Sequence, residues 1–465
     1  MGENQAAAPQ EPIKKVPLII VLISGAFITI LNQTLLGTAL PPIMEDLKLS
    51  ESTVQWLQSI FMLVNGIMIP ITAFLIERFT TRKLFLTAMS LFAFGTAVAA
   101  AAPSFILLLI GRVFQASGAG IMMPLLQTIM FLIFPVEKRG TAMGMFGLVI
   151  AFAPAIGPSL SGWLVDNYPW RSVFYVVLPI ALINIVAAYF LLKNITKQTM
   201  PKVDMLSIIL STFGFGGLLY GFSIAGDSGW LSVQVGISLV VGALSLFLFI
   251  TRQLKLEQPI LEFRIFKYSI FTLSTGLGMI VFISMIGTAV ILPLLMQNML
   301  DFTAFESGLV LLPGAMIMGL MNPVTGRLFD RFGARWLAII GFALLTFTTA
   351  MFTNLSTDTS FVYLSVMNAI RMLSIAMVMM PVTTSGLNEL PNHLIPHGTA
   401  MNNTFRQVSG AIGTAMLVTI MSTTAIPEEG LEGLIHGVNM SFIVATVVSV
   451  LGFILSFKIK RKIAV

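Results

Sequence analysis

Three arginines, Arg112, Arg371 and Arg406, lie inside long apolar stretches of this 465-residue chain. A charged side chain at the centre of a lipid-spanning helix costs about 2.5 to 3.5 kcal/mol on insertion scales, so it normally faces a protein interior or a water-filled space. Arg112 stands well inside its apolar run with no other charge near, too deep to snorkel, and Gln115 shares its helical face three residues on. The pair is expected to line a polar cavity. Arg371 has Asn368 on its face and is read as lining a cavity or pinning helices; Arg406, nearer the end of its run, is read as structural. Gln58, Met62 and Asn65 share a face at i, i+4 and i+7, and Asn32 and Gln33 lie within the first run. Met122, Met123, Met379 and Met380 are candidates for an adaptable apolar wall, a use that suits the flexible thioether. Covalent chemistry has little support. His393, His397 and His436 are read as loop residues with Glu389 the nearest acid, and no nucleophile elbow, phosphate loop or metal-spaced cluster occurs. No enzyme activity, cofactor, metal or ATP drive is expected.

These residues must be positioned by helices in a bilayer. The chain is 56% hydrophobic and only 10% charged, against about 25% charged in an ordinary soluble protein. It cannot cover a water-facing surface, and a soluble enzyme or nucleic-acid binder is excluded. Fourteen apolar runs, from 17–40 to 438–457, are long and unalternating, which reads as helices rather than barrel strands. With the N-terminus placed in the cytoplasm, 21 of the 26 lysines and arginines fall in cytoplasmic segments and only Lys48 and Arg171 outside. That asymmetry is the positive-inside signal, and an even number of spans puts both termini in the cytoplasm. The absence of cysteine excludes disulfides and thiolate sites.

The sequence repeats itself. Glu77-Arg78-Phe79 matches Asp330-Arg331-Phe332, Gly140–Met143 matches Gly398–Met401, and Met122-Met123-Pro124 matches Met379-Met380-Pro381, at spacings of 253 to 258 residues. The spacing joins the second run to the tenth, the fourth to the twelfth and the fifth to the thirteenth. Two six-helix units, 16–193 and 269–458, are therefore expected around an extra pair within 194–268, with a cytoplasmic tail at 1–15 and a basic tail at 459–465. Parallel repeats of this kind belong to secondary transporters that rock two halves about a central site.

Several motifs are specific. Gly326 through Arg335 resembles the loop signature of the major facilitator superfamily, and the first-half copy, with Glu77 in place of Asp and Thr80 in place of Gly, is degraded. Leu109–Gly118 resembles the superfamily's fourth-helix motif, and Ala153–Gly162 the fifth-helix motif of exporters. Within the superfamily the chain resembles the fourteen-helix drug:proton antiporters, nearest the lincomycin-resistance type of Gram-positive exporter. The resemblance implies an all-α polytopic membrane protein with its helices arranged 6+2+6, placed in the cell membrane. It implies a monomer that exports small amphipathic drug-like molecules in exchange for protons. The alternative is export of a specific lipid or metabolite with different coupling.

Roles follow for the remaining charged and conformational residues. Asp330 with Arg331 and Arg335, and Glu77 with Arg78 and Arg82, are expected to form cytoplasmic latches between helices. Pro154, Gly157, Pro158 and Gly162 permit close packing and bending of the fifth helix. Proton coupling is the departure from the family pattern. Asn32 stands where that branch usually has Asp and cannot titrate, and no acid lies mid-span. Glu306 is therefore the first candidate, followed by Asp166, with Asp227 and Asp301 behind them.

Overall fold

The structure is a computed structural model that describes residues 15–196 and 198–459. Almost all of the two expected tails lies outside these residues. Fourteen long helices run through the molecule. The first six are α1 (Lys15–Asp46), α2 (Glu51–Arg78), α3 (Thr81–Ala100), α4 (Phe105–Ile133), α5 (Arg139–Asn167) and α6 (Ser172–Leu191). The pair is α7 (Met205–Ser228) and α8 (Val233–Gln253). The last six are α9 (Ser269–Asn298), α10 (Ala304–Phe332), α11 (Ala334–Met351), α12 (Phe361–Asn388), α13 (Ile395–Thr424) and α14 (Gly430–Ser456). No strand occurs among the described residues.

The short loops that part the apolar runs carry the caps. Ser50, Thr80, Ser232 and Ser360 each accept a backbone N–H three residues on, satisfying a donor that the first helical turn leaves orphaned. Asp204 caps α7 and takes two hydrogen bonds from Arg252 at the end of α8, at 2.8 and 3.1 Å. The Arg252 guanidinium holds the Asp204 carboxyl below the usual carboxylate range.

Thirteen of the fourteen helices are long and apolar enough to cross a membrane, and α13 is the exception. His397, Asn402, Asn403, Arg406 and Gln407 all lie within it. Two of the three histidines thus depart from the loop reading. His397 is buried in α13 and His436 lies in α14, while His393 sits in a short 3-10 turn. A polar helix survives here because it is covered by protein rather than lipid, and every residue of 395–404 is buried.

The repeat is visible in the packing. α3 packs on α4 as α11 does on α12, α1 on α5 as α9 on α13, and α3 on α6 as α11 on α14. The two six-helix units meet along two seams related in the same way, α5 against α10 and α2 against α13. The α5–α10 seam is closed by glycines: a Cβ on Gly326 would overlap the Gly140 carbonyl oxygen, so neither position accepts a side chain at this spacing. The extra pair makes the two seams unlike, because α7 packs on both α2 and α13 and so covers only that side.

Candidate functional site

The segments after α2, α4, α6, α8, α10 and α12 meet at one face of the bundle, the face that carries most of the basic residues. On this basic face the halves are joined by two carboxylates at repeat-related positions. Asp330, near the end of α10, accepts from the backbone N–H groups of Gly140 and Thr141, both at 2.8 Å, and from the Thr141 hydroxyl at 2.6 Å. These groups open α5, so the carboxylate caps a helix N-terminus belonging to the other half, where the helix dipole favours negative charge. These three bonds reach across the seam from one half to the other. Arg331 is exposed and stacks over Phe332, and Arg335 is half-buried.

Glu77 occupies the equivalent place on α2. Its Oε1 lies 3.0 Å from Nε2 of His397, at the start of α13, and Nδ1 of the same ring accepts from the Glu262 backbone N–H at 3.3 Å. That second bond leaves the proton on Nε2, donated to Glu77. His397 directly precedes the second Gly-Thr-Ala-Met, as Arg139 precedes the first. Read from sequence it is a loop residue, although this repeat position marks it as the counterpart of Arg139. Arg139 itself donates to Asn388 at 3.0 Å and Asn392 at 3.2 Å in the other half. Of the other latch candidates, Arg78 donates to the Pro201 carbonyl at 2.7 Å, and Arg82 lies over the Tyr189 ring, away from the seam.

Deeper in the same half of the membrane span, Asn403 donates to Gln127 at 2.6 Å, the Thr128 and Thr399 hydroxyls meet at 2.8 Å, and Asn322 donates to the Gly147 carbonyl at 2.9 Å. These bonds explain the polarity of α13: its amides and hydroxyls face α4 across the seam. Among the described residues, every side-chain hydrogen bond between the two six-helix units lies toward the basic face. Toward the opposite face contacts thin out. Pro154 and Pro158 are exposed, and a Cβ added at Gly162 would meet open space. Gly157, between them, is packed tightly on Thr34 of α1. The side-chain hydrogen bonds described between the halves therefore join them at the basic face.

The arginines expected to line a cavity make their hydrogen bonds inside their own halves, with Arg112 Nη2 and Arg371 Nε and Nη1 left unpaired. Arg112 is fully buried. Its Nε donates to the Leu57 carbonyl at 3.1 Å, its Nη1 to Gln115 at 2.9 Å, and its plane lies 4.2 Å from the Phe61 ring centroid. Gln115 passes the chain on to Thr96 at 2.9 Å and Asn32 at 3.4 Å. Arg371 is equally buried but donates to the Ser284 carbonyl and hydroxyl of α9, and Asn368 packs against Gly314 of α10 instead of bonding to it. The two arginines are thus tied to helices that the repeat does not relate.

The other cavity candidates divide. Asn65 is buried against Gly120, and Met122 is buried against Gly25, within the first half. Met380 crosses the seam onto Gly147, and the Met379 sulfur accepts from Arg406 at 3.8 Å. Gln33, Gln58 and Met123 are half-buried, and Met62 is exposed. In this conformation most of the set is packed away from solvent, and several of its polar atoms, among them Asn65 Oδ1, Arg371 Nη1 and both amide atoms of Asn368, are buried without a hydrogen-bond partner in the protein.

Glu306 completes a capping box on α10, accepting from the Thr303 N–H at 2.8 Å and hydroxyl at 2.9 Å. Asp166 is exposed at the end of α5, and Asp301 is exposed in a turn with a left-handed backbone. The Asp227 side chain lies outside the described residues. No cluster able to hold a metal ion occurs among them.

Comparison with known proteins agrees with this architecture. The family model of the Major Facilitator Superfamily matches residues 22–414. The chain is 56% identical to the uncharacterized MFS-type transporter YcnB of Bacillus subtilis, over 97% of this chain and 96% of that one. It is 43% identical to the lincomycin resistance protein LmrB of Listeria monocytogenes, over 98% of this chain and 99% of that one. The crystal structure of the human organic anion transporter MFSD10 superposes with a TM-score of 0.71 at 14% identity, over 96% of this chain and all of that one, which is a likeness of fold. Two repeat-related six-helix units, closed against each other at one face by carboxylates of the loop signature, therefore make this chain a membrane transporter of the Major Facilitator Superfamily.

Proposed function

We propose that the protein exports small amphipathic drug-like molecules across the cell membrane by alternating access, in exchange for protons. The observation that carries the reading is the pair of repeat-related latches, Asp330 on α5 and Glu77 on His397, at the face where the basic residues gather. By the positive-inside rule that face is cytoplasmic. The conformation is then closed to the cytoplasm, as in the state in which an exporter releases its cargo. The full-length similarity to a lincomycin resistance protein supports a drug-like substrate, and the presence of both halves in one chain supports a monomer as the working unit.

Coupling is assigned to carboxylates that change surroundings as the halves rock. Glu306 leads and Asp166 follows, both at the outer mouth, with Asp301 and Asp227 behind them. The Glu77–His397 pair adds a proton-binding group that lies between the halves and is broken whenever the cytoplasmic side opens. The arginine networks around Arg112 and Arg371 act as rigid polar cores within each half and expose their polar groups to substrate in the opposite conformation. Accumulation of dyes and lincosamides inside everted vesicles, whose lumen corresponds to the outside of the cell, tests the whole reading, with the proton and electrical gradients collapsed separately. Uphill accumulation that survives collapse of both gradients would overturn proton exchange; no accumulation of any amphipathic compound would overturn drug export.

A further inference from the structure

Arg82 belongs to the first loop signature yet takes no part in the latch. It lines a groove of about 630 Å³ between the basic-face ends of α3 and α6. Lys83, Thr87, Ser90 and Phe94 follow one another at three- and four-residue spacing and form a single stripe of α3 along this groove. Tyr189 and Asn194 form the opposite wall. The guanidinium of Arg82 lies 4.5 Å from the Tyr189 ring centroid, and its backbone N–H is taken by the Asn194 side chain at 3.3 Å. Lys83 is exposed and lies over the Phe79 ring. No acidic residue lines the groove, and neither cation has an ion-pair partner among the described residues.

The chemistry changes along the groove. Two cations and Thr80 stand at its mouth, level with the helix ends. Thr87 and Ser90 follow, and Leu86, Leu91 and the half-exposed Phe94 line the part that runs toward the membrane centre. A soluble anion has no use for the apolar half, and a neutral lipid leaves the two cations unpaired. The gradient matches an amphiphile with a phosphate head at the interface and an acyl chain below it.

We propose that this groove is a binding site for an anionic phospholipid of the leaflet at the basic face. The phosphodiester sits between Arg82 and Lys83, the headgroup hydroxyls meet Thr80 and Asn194, and one acyl chain lies along Leu86, Leu91 and Phe94. The lipid would brace α3 against α6 beside the end of α2 that carries Glu77. The site does not depend on what the protein transports.

A basic residue near an anionic surface strengthens binding by about fivefold, so two give about 30-fold preference for an anionic over a zwitterionic headgroup. The test uses the full-length purified protein. Thermal unfolding is followed in mild detergent with added phosphatidylglycerol, phosphatidylcholine or inorganic phosphate. In parallel, a photoreactive phosphatidylglycerol is crosslinked and the labelled peptides are mapped. The expected result is stabilisation by phosphatidylglycerol at about 30-fold lower concentration than by phosphatidylcholine, no effect of phosphate, and crosslinks on α3 and α6. In the double variant Arg82→Gln/Lys83→Gln the preference falls to near unity while the response to phosphatidylcholine is kept. Equal potency of the two lipids in the wild type overturns the proposal, as does stabilisation by phosphate alone or labelling that avoids α3 and α6. These wild-type outcomes decide the matter even if the double variant does not fold.

Discussion

Replacing Asp330 with asparagine tests the latch directly. The carboxylate accepts three short hydrogen bonds, two from backbone N–H groups and one from the Thr141 hydroxyl. The amide keeps one acceptor oxygen and turns its NH2 toward a backbone donor, which leaves that N–H unpaired. Hydrogen bonds to charged groups contribute about 1.5–3 kcal/mol each, and the favourable end of the α5 dipole adds up to about 1 kcal/mol. Asp330→Asn should therefore weaken the basic-face closure by about 3 kcal/mol. At 1.4 kcal/mol per tenfold, the closed-to-open ratio falls roughly 100-fold. The chain contains no cysteine, so spin labels attach only where cysteines are introduced, at Val136 in one half and Phe457 in the other. Distance distributions between them should move from a short to a long population in the variant. Turnover should fall about tenfold or more, with substrate affinity changed less than threefold. An unchanged distance distribution together with unchanged turnover would refute the reasoning and leave the motif a determinant of topology alone.

Four other outcomes are expected. Arg112→Ala should abolish transport at near-normal expression, whereas Arg112→Lys retains a charge beside Phe61 and should keep part of it; wild-type transport by the alanine variant removes Arg112 from the working core. A double-mutant cycle of Glu77→Ala and His397→Ala, read by thermal unfolding, should show a coupling of roughly 1–2 kcal/mol, and additive effects would mean that the pair does not join the halves. Among Glu306→Gln, Asp166→Asn, Asp301→Asn and Asp227→Asn, at least one should lose proton-driven efflux while keeping downhill equilibration, Glu306→Gln first; four variants that still pump uphill move coupling elsewhere, with Asn32→Asp then testing whether the first helix accepts the role. Reporter fusions at Lys202 and Lys267 should read cytoplasmic and those at Asp227 and Glu429 external, and any reversed site breaks the 6+2+6 topology.

Much of the architecture was legible because it rests on one-dimensional signals. Apolar runs of bilayer length, the clustering of basic residues and a spacing of about 256 residues between copies are properties of the chain order, since lipid imposes the same requirement on every span. Even α13, the most polar of the fourteen, contains one of the apolar runs, and its Gly-Thr-Ala-Met copy ties it to α5. The latch at Asp330 was legible as a motif, but not its partner: a carboxylate among arginines suggested a local ion network, and only the seam brought the α5 N-terminus within 2.8 Å. His397 was read as a loop residue because a polar helix start looks like a loop until its neighbours are known.

The cavity residues mark the boundary between the two kinds of information. Sequence alone determined that Arg112 and Arg371 must turn away from lipid, toward protein or a water-filled cavity, because a guanidinium cannot face hydrocarbon cheaply. Tertiary structure decided what they face. Each is turned into its own half, Arg112 onto α2 and Arg371 onto α9, although the repeat would have predicted equivalent partners. The reason is that a repeat fixes helix directions and faces, while a hydrogen-bond partner depends on approach distances of tenths of an ångström between segments far apart in the chain. The same holds for Arg82, which the motif grouped with the gate and the packing of α3 on α6 placed beside the lipid.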